Sequence, residues 1–236
     1  MTLDPSFMWT AFLSLFKALP TTLMITFVSV ICGLFIGTVV ALCRIYRIPG
    51  LSQLSTAYVT FIRGTPMLMH LLIIYFGLPI LIDSLAAKWE WSFTSASIPL
   101  IGFVFIAFSI TAGAYMSEVV RAGIVAVDRG QIEAAHSIGM TTPQALRRIV
   151  LPQALAVSLP NLSNSVIGML HGSTLAYTIS VVEINAQALV VAANNWKYFE
   201  AYIAAAVLFW GLTLLIERGS GWLEKRLNAY HRGGVM

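Results

Sequence analysis

A chain of 236 residues that is 58% hydrophobic and only 10% charged is too apolar for an ordinary soluble domain, where about 25% of residues carry charge. It is read as an integral membrane protein with the lipid bilayer as its first partner. Its formal charge of +4 would point to nucleic acid in a soluble protein. Here the basic residues lie between hydrophobic runs, the arrangement that orients a membrane protein, so no nucleic-acid partner is expected.

A spanning helix needs about 20 mostly apolar residues. The charge-free runs predict an all-α polytopic membrane protein with about five transmembrane helices, over residues 20–43, 58–82, 95–117, 153–171 and 199–218. Ahead of the first span, Phe7, Trp9, Phe12 and Phe16 with a lone Lys17 form an amphipathic segment suited to the interface. The N-terminal stretch lacks a basic n-region and a small-residue cleavage site, so the first span is expected to be retained. That span carries Gly33 and Gly37 at the GxxxG spacing that lets helices approach closely. Cys32 and Cys43 share it, roughly 16 Å apart at the helical rise, and read as small packing residues.

Arg44, Arg47 and the Pro49-Gly50 turn mark a cytoplasmic loop. In the second span, Arg63 precedes Gly64-Thr65-Pro66. Two readings stand for Arg63, a functional charge at membrane depth or a boundary residue, and Pro66 favours a kink. The loop with Asp83, Lys88, Trp89, Glu90 and Trp91 is expected outside. The third span runs into Glu118 and Arg121, neighbours on one helical face, read either as a local ion pair at the membrane edge or as a gating pair.

The polar stretch from Asp128 to Pro152 stands out in this apolar chain. Asp128 is placed to cap a short helix, with Gln131 in capping-box position, and Ala134 and Ala135 give that helix a small-residue face. Gly139 suits a left-handed cap. Thr142-Pro143 restarts a helix with Thr as N-cap and Pro at the first helical position. The pattern is helix, turn, helix. In the fourth span Asn161, Asn164, Gly168 and His171 recur at intervals of three, four and three and so share a stripe. Such a stripe faces either other helices, through hydrogen bonds, or the substrate route. Residues 172–198 are mixed and read as a short external or re-entrant segment. The fifth span leads into the basic tail ERGSGWLEKRLNAYHRGG.

With the N-terminus outside and the C-terminus cytoplasmic, Arg44, Arg47, Arg121, Arg129, Arg147, Arg148, Arg218, Lys225, Arg226 and Arg232 fall inside, against Lys17, Lys88 and Lys197 outside. That is the bias expected of an oriented membrane protein.

The segments FIRGTPML, AYMSEVVRAGI, GQIEAAHSIGM, RRIVLPQALAVSLPNLSNS and STLAYTI together resemble the EAA-motif permease subunits of bacterial ABC importers, in their polar amino acid branch. The resemblance covers most of the chain and implies one transmembrane domain over residues 1–236. It implies a coupling helix at Glu133, Ala134, Ala135 and Gly139 seated on an ABC ATPase dimer, with ATP and Mg bound by that partner and no cofactor in this chain. It further implies a second permease subunit, identical or paralogous, an extracytoplasmic amino acid-binding protein, and residence in the bacterial cytoplasmic (inner) membrane. One departure bears on the cargo. Many relatives carry Lys-Asp where this chain has His171-Gly172, which removes a carboxylate and argues against a standard basic amino acid; cystine is one candidate.

Enzymatic readings fare poorly. The absence of GxxxxGK[ST] means that the chain is not itself the ATPase, and it contains no HExxH or GxSxG. No metal site is expected. An ion-coupled secondary transporter, with His171 relaying protons, is the rival of a different class; such folds usually show internal repeats, and none is visible here.

Overall fold

The computed structural model describes residues 3–232, with side chains through Leu227. The last residues of the predicted tail, Gly233 and Gly234, lie outside the described residues. Every regular element among them is helical. They are α1 (Pro5–Leu15), α2 (Leu19–Ile45), α3 (Leu51–Gly64), α4 (Met67–Trp89), α5 (Leu100–Val125), α6 (Arg129–Ser137), α7 (Thr142–Ala145), α8 (Leu151–Gly172), α9 (Ile184–Asn195) and α10 (Tyr198–Arg232). Helices α2, α4, α5 and α10 are each long and apolar enough to cross a membrane. The segment from α7 through α9, bent by 53°, makes a fifth when counted as one span.

Helix α5 is the axis of the fold: 61% of its most apolar stretch is buried within the chain, against 11% for α4. Its main partner is α2, and the GxxxG pair is what brings the two together. A Cβ on Gly33 would lie 2.4 Å from Ala112 Cβ, and one on Gly37 would lie 2.8 Å from the backbone nitrogen of Ser117. Small residues allow helix backbones in lipid to pack at this range, where van der Waals contact replaces the missing hydrophobic drive. On the other side of α5, Gly123 accepts Ser158 of α8, whose hydroxyl donates to the carbonyl of Val119 at 3.3 Å. Phe103, Val104 and Phe108 of α5 join Ile25 and Leu71 in the main core.

Four predicted boundaries move, the first two for a local reason. The span expected at 58–82 is two helices. Thr65 is extended (φ −126°, ψ 151°) because it precedes Pro66, so α3 ends at Gly64 and α4 begins at Met67. The span expected at 95–117 starts at Leu100, behind Pro99, and carries Glu118 and Arg121 inside the helix. The fourth continues past residue 171 as a 3₁₀ segment, Ser173–Ile179. The fifth extends as one helix to Arg232.

The N-terminal segment does more than lie at an interface. Ala11 and Leu15 of α1 are fully buried in a cluster with Ile184 and Ala188 of α9 and Ala204 and Leu208 of α10. Asp4 caps α1 through the amides of Ser6 and Phe7 and pairs with Lys197. The Lys197 ammonium, then the Ser6 hydroxyl and the Phe7 amide, hold the Asp4 carboxyl well below its usual range. Within 172–198, fully buried Glu183 caps α9, accepting from the amides of Asn185 at 2.9 Å and Ala186 at 2.8 Å. Cys32 and Cys43 are free thiols.

Candidate functional site: a polar-lined cavity, a charge hub and an elbow

Three features cluster along α5 and α8. The first is a cavity of about 480 Å³ between the start of α4, α5 and α8, within the range of about 300–1,000 Å³ typical of small-molecule sites. From α8 it is lined by Asn161, Asn164, Ser165 and Gly168, facing Met67, Tyr115 and Met116. Every lining side chain is uncharged. No hydrogen bond ties the side-chain amides of Asn161 and Asn164 to any described residue, and both residues are exposed. The lone-stripe prediction thus divides: three of its four members share the cavity, while His171 turns away, its Nε2 3.1 Å from Thr213 Oγ1 and its ring edge-on to Phe209 of α10. At the position where relatives are read to carry an acid, a Cβ on Gly172 would lie 2.8 Å from the sulfur of Met67. Met67 therefore fills that end of the cavity wall.

The second feature is a charge hub. Glu118 Oε1 accepts from Arg44 Nη1 at 2.5 Å, and Oε2 accepts from Arg121 Nε at 3.0 Å and Nη2 at 2.8 Å. Arg63 Nη1 lies 3.8 Å from the same carboxylate, with its guanidinium 6.0 Å from the Tyr115 ring centroid. The Glu118–Arg121 pair is therefore part of a contact joining the end of α2, the end of α3 and α5. Arg63 sits beside the Thr65-Pro66 break, at the end of α3.

Sequence reasoning passed over His70, which lies on α4 just past that break and is almost fully buried. Its Nε2 lies 2.7 Å from Thr65 Oγ1 and its Nδ1 3.0 Å from Thr111 Oγ1. It pins the break to α5. A single histidine inside the otherwise apolar run MLMHLLIIYF was the available signal, since a polar group at that depth needs partners.

The third feature is an elbow between α5 and α8. Asp128 caps α6 through the amide of Gly130 at 2.7 Å. Gly139, at φ +83°, ends it, with the amide of Met140 donating to the Ala135 carbonyl at 3.0 Å and that of Gly139 to His136 at 2.9 Å. These two bonds define a Schellman cap, which a left-handed glycine permits. The second helix starts one residue earlier than predicted. Thr141 is its N-cap, and its amide donates to Gln144 Oε1 at 2.9 Å; the capping box therefore belongs to Thr141 and Gln144, not to Asp128 and Gln131. A π-helical turn, Leu146–Val150, then leads into α8 ahead of Pro152, which carries no N–H.

The small-residue face of α6 needs correction. Ala135 is 1% exposed, and Ile132 joins Val127, Leu146, Val150 and Ala154 beneath the elbow. Glu133, Ala134 and Gly139 are exposed. The outer surface is led by Ile138, 76% exposed, one helical turn beyond Ala134. Periodicity alone could not say which of two adjacent alanines faces inward.

Comparison with known proteins follows the same outline. Residues 29–229 match the family described as binding-protein-dependent transport system inner membrane component. The chain is 38% identical over 219 residues to the probable amino-acid ABC transporter permease protein PatM of Vibrio harveyi, covering 92% of this chain and 94% of that one. It is 37% identical over 209 residues to the L-cystine transport system permease protein TcyL of Bacillus subtilis, covering 89% and 85%. Among solved structures, a chain from a crystal structure of an amino acid ABC transporter superimposes with a TM-score of 0.80 at 34% identity, over 96% of this chain and 100% of that one.

Proposed function

This chain belongs to the family of binding-protein-dependent transport system inner membrane components and is an amino-acid ABC transporter permease, a multi-pass membrane protein; from that premise we propose the cargo, the partners and the parts that handle each. The cargo is an amino acid with no net charge, cystine being the first candidate. The observation that carries this reading is the cavity studded by Asn161, Asn164 and Ser165. Their amides and hydroxyl can hydrogen-bond the polar groups of a zwitterion with no net charge but offer no opposite charge to an extra ionised side chain, which would go unpaired there at high cost. Gly172 against Met67 supports it, as does likeness to permeases named for L-cystine.

An extracytoplasmic binding protein delivers the amino acid, and a dimer of ABC ATPase subunits, separate chains that hold ATP and Mg, drives the cycle. A second permease subunit completes the central path by covering the open side of the cavity. The elbow is the element that receives the ATPase stroke. Charge supports the orientation with the N-terminus outside: the ends of α2 and α5, the elbow and the end of α10 carry most of the basic residues, the excess expected on the cytoplasmic side.

The test is uptake by the permease reconstituted with its ATPase and binding-protein partners. ATP-dependent cystine uptake is expected. Asn164→Ala is expected to weaken apparent cystine affinity roughly tenfold, the loss of one to two hydrogen bonds, with ATP hydrolysis intact. Uptake driven by an ion gradient without ATPase would sink the assignment, and an unchanged substrate profile in Asn164→Ala would remove the cavity from the path.

A further inference from the structure

A second cavity, of about 830 Å³, opens at the basic end of the bundle between the end of α2, α3 and α5. Its lining includes Arg44, Arg47 and Arg121 together with Gln53, Thr56 and Thr60. Apart from Glu118, no acid among the described residues pairs with these cations. Glu118 supplies one negative charge to Arg44, Arg63 and Arg121, and both of its oxygens already accept hydrogen bonds. Arg47 pairs with no acidic side chain among the described residues, and it is held on a left-handed backbone at φ +50°. Three guanidinium groups thus share one carboxylate, and Arg47 adds a fourth cation beside them.

Helix α3 fixes the character of this space. Leu51, Leu54 and Phe61 are 51%, 69% and 55% exposed along one side, while Gln53, Thr56 and Thr60 line the cavity on the opposite side. The apolar face suits lipid or another apolar surface, so α3 screens the cavity from hydrocarbon and lines it with the Gln53 amide and the Thr60 hydroxyl. The Thr56 hydroxyl donates to the Ser52 carbonyl at 2.9 Å. A polar space with surplus guanidinium charge and the Thr60 hydroxyl matches a phosphate oxyanion, since forked guanidinium groups bind phosphate through paired, charge-assisted hydrogen bonds.

We propose that the cavity walled by Arg44, Arg47, Arg121, Thr56 and Thr60 is an anion site for a phosphate group, borne by a free solute or by a phospholipid headgroup. The site is distinct from the amino acid path, because none of its lining residues lines the cavity of Asn161 and Asn164. A bound phosphate offsets the cationic surplus and competes with Glu118 for Arg44 and Arg121. It thereby links the site to the hub that holds the ends of α2 and α3 on α5.

The experiment follows the melting temperature of the full-length permease in maltoside micelles, which contain no phosphate, during titration with inorganic phosphate, with chloride at matched ionic strength as the control. Saturable stabilisation by phosphate alone is expected, weakened roughly tenfold by Arg47→Gln, which removes one charge-assisted contact, and less by Thr60→Val. Neither residue belongs to the amino acid cavity. A parallel arm uses nanodiscs containing phosphatidylglycerol and no free phosphate. Stabilisation there that depends on Arg47, with phosphate adding nothing further, assigns the headgroup as the source; stabilisation by free phosphate that persists in the phosphatidylglycerol discs assigns the solute. Equal effects of chloride and phosphate, or a titration unchanged in both variants, would overturn the site.

Discussion

Replacing Ile138 by Asp is expected to abolish ATP-driven uptake while leaving the permease folded and in the membrane. Ile138 is 76% exposed at the end of α6, beyond the buried side of the elbow. An apolar side chain held out on a short, doubly capped helix costs little to replace in the free chain. Buried against a partner surface, a carboxylate there would have to shed its water with no cation supplied by this chain, a loss of several kcal/mol. Uptake and transport-coupled ATP hydrolysis should each fall below roughly a tenth of the parent value, and Ala134→Arg should act alike from one turn away. Ala135→Asp should behave differently: Ala135 is buried, so that variant should be lost from the membrane fraction. Gly139→Arg mixes the two effects, because φ +83° penalises any side chain. Membrane abundance measured beside uptake separates the cases. Normal transport by Ile138→Asp would remove α6 from the coupling path.

Gly37→Leu is expected to destroy the folded permease rather than its activity alone. The added Cβ would lie 2.8 Å from the Ser117 nitrogen and 2.9 Å from the Gly113 carbonyl oxygen, both backbone atoms of α5. Neither can turn aside as a flexible side chain would. The helices must separate, and the overpacking cost is about 3 kcal/mol or more. Gly77→Leu is the matched control, since a Cβ at Gly77 meets nothing within 4 Å. Size-exclusion yield and melting temperature should collapse for Gly37→Leu and stay near the parent for Gly77→Leu. Equal behaviour of the two would show that α2 and α5 do not depend on this contact.

Much of this was legible in the residues. Long apolar runs specify membrane helices because each must satisfy its own backbone in lipid, so helix type followed from composition. Capping residues encoded the elbow, and Gly139 took the left-handed conformation its position suggested. The break inside the second predicted span was only half visible. Pro66 announced a kink, but a clean division into α3 and α4 depends on Thr65 being pulled straight and on His70 anchoring the restart to Thr111. Asn161, Asn164 and Gly168 read correctly as sharing one face, whereas His171, at that face's edge, is claimed by Thr213 and Phe209 of a helix forty residues later in the chain.

The sequence by itself determined the membrane class, the helical spans, the basic end of the bundle and the turn chemistry of the elbow, since each depends on residues within a few turns of one another or on transfer between water and lipid. Only the tertiary structure decided which small residue is inside. Gly33 and Gly37 lie against α5, Ala135 is sealed within the elbow, and Glu118 gathers arginines from α2, α3 and α5. Those outcomes depend on which surfaces meet, and contacts between distant segments are fixed by packing and charge balance across the fold.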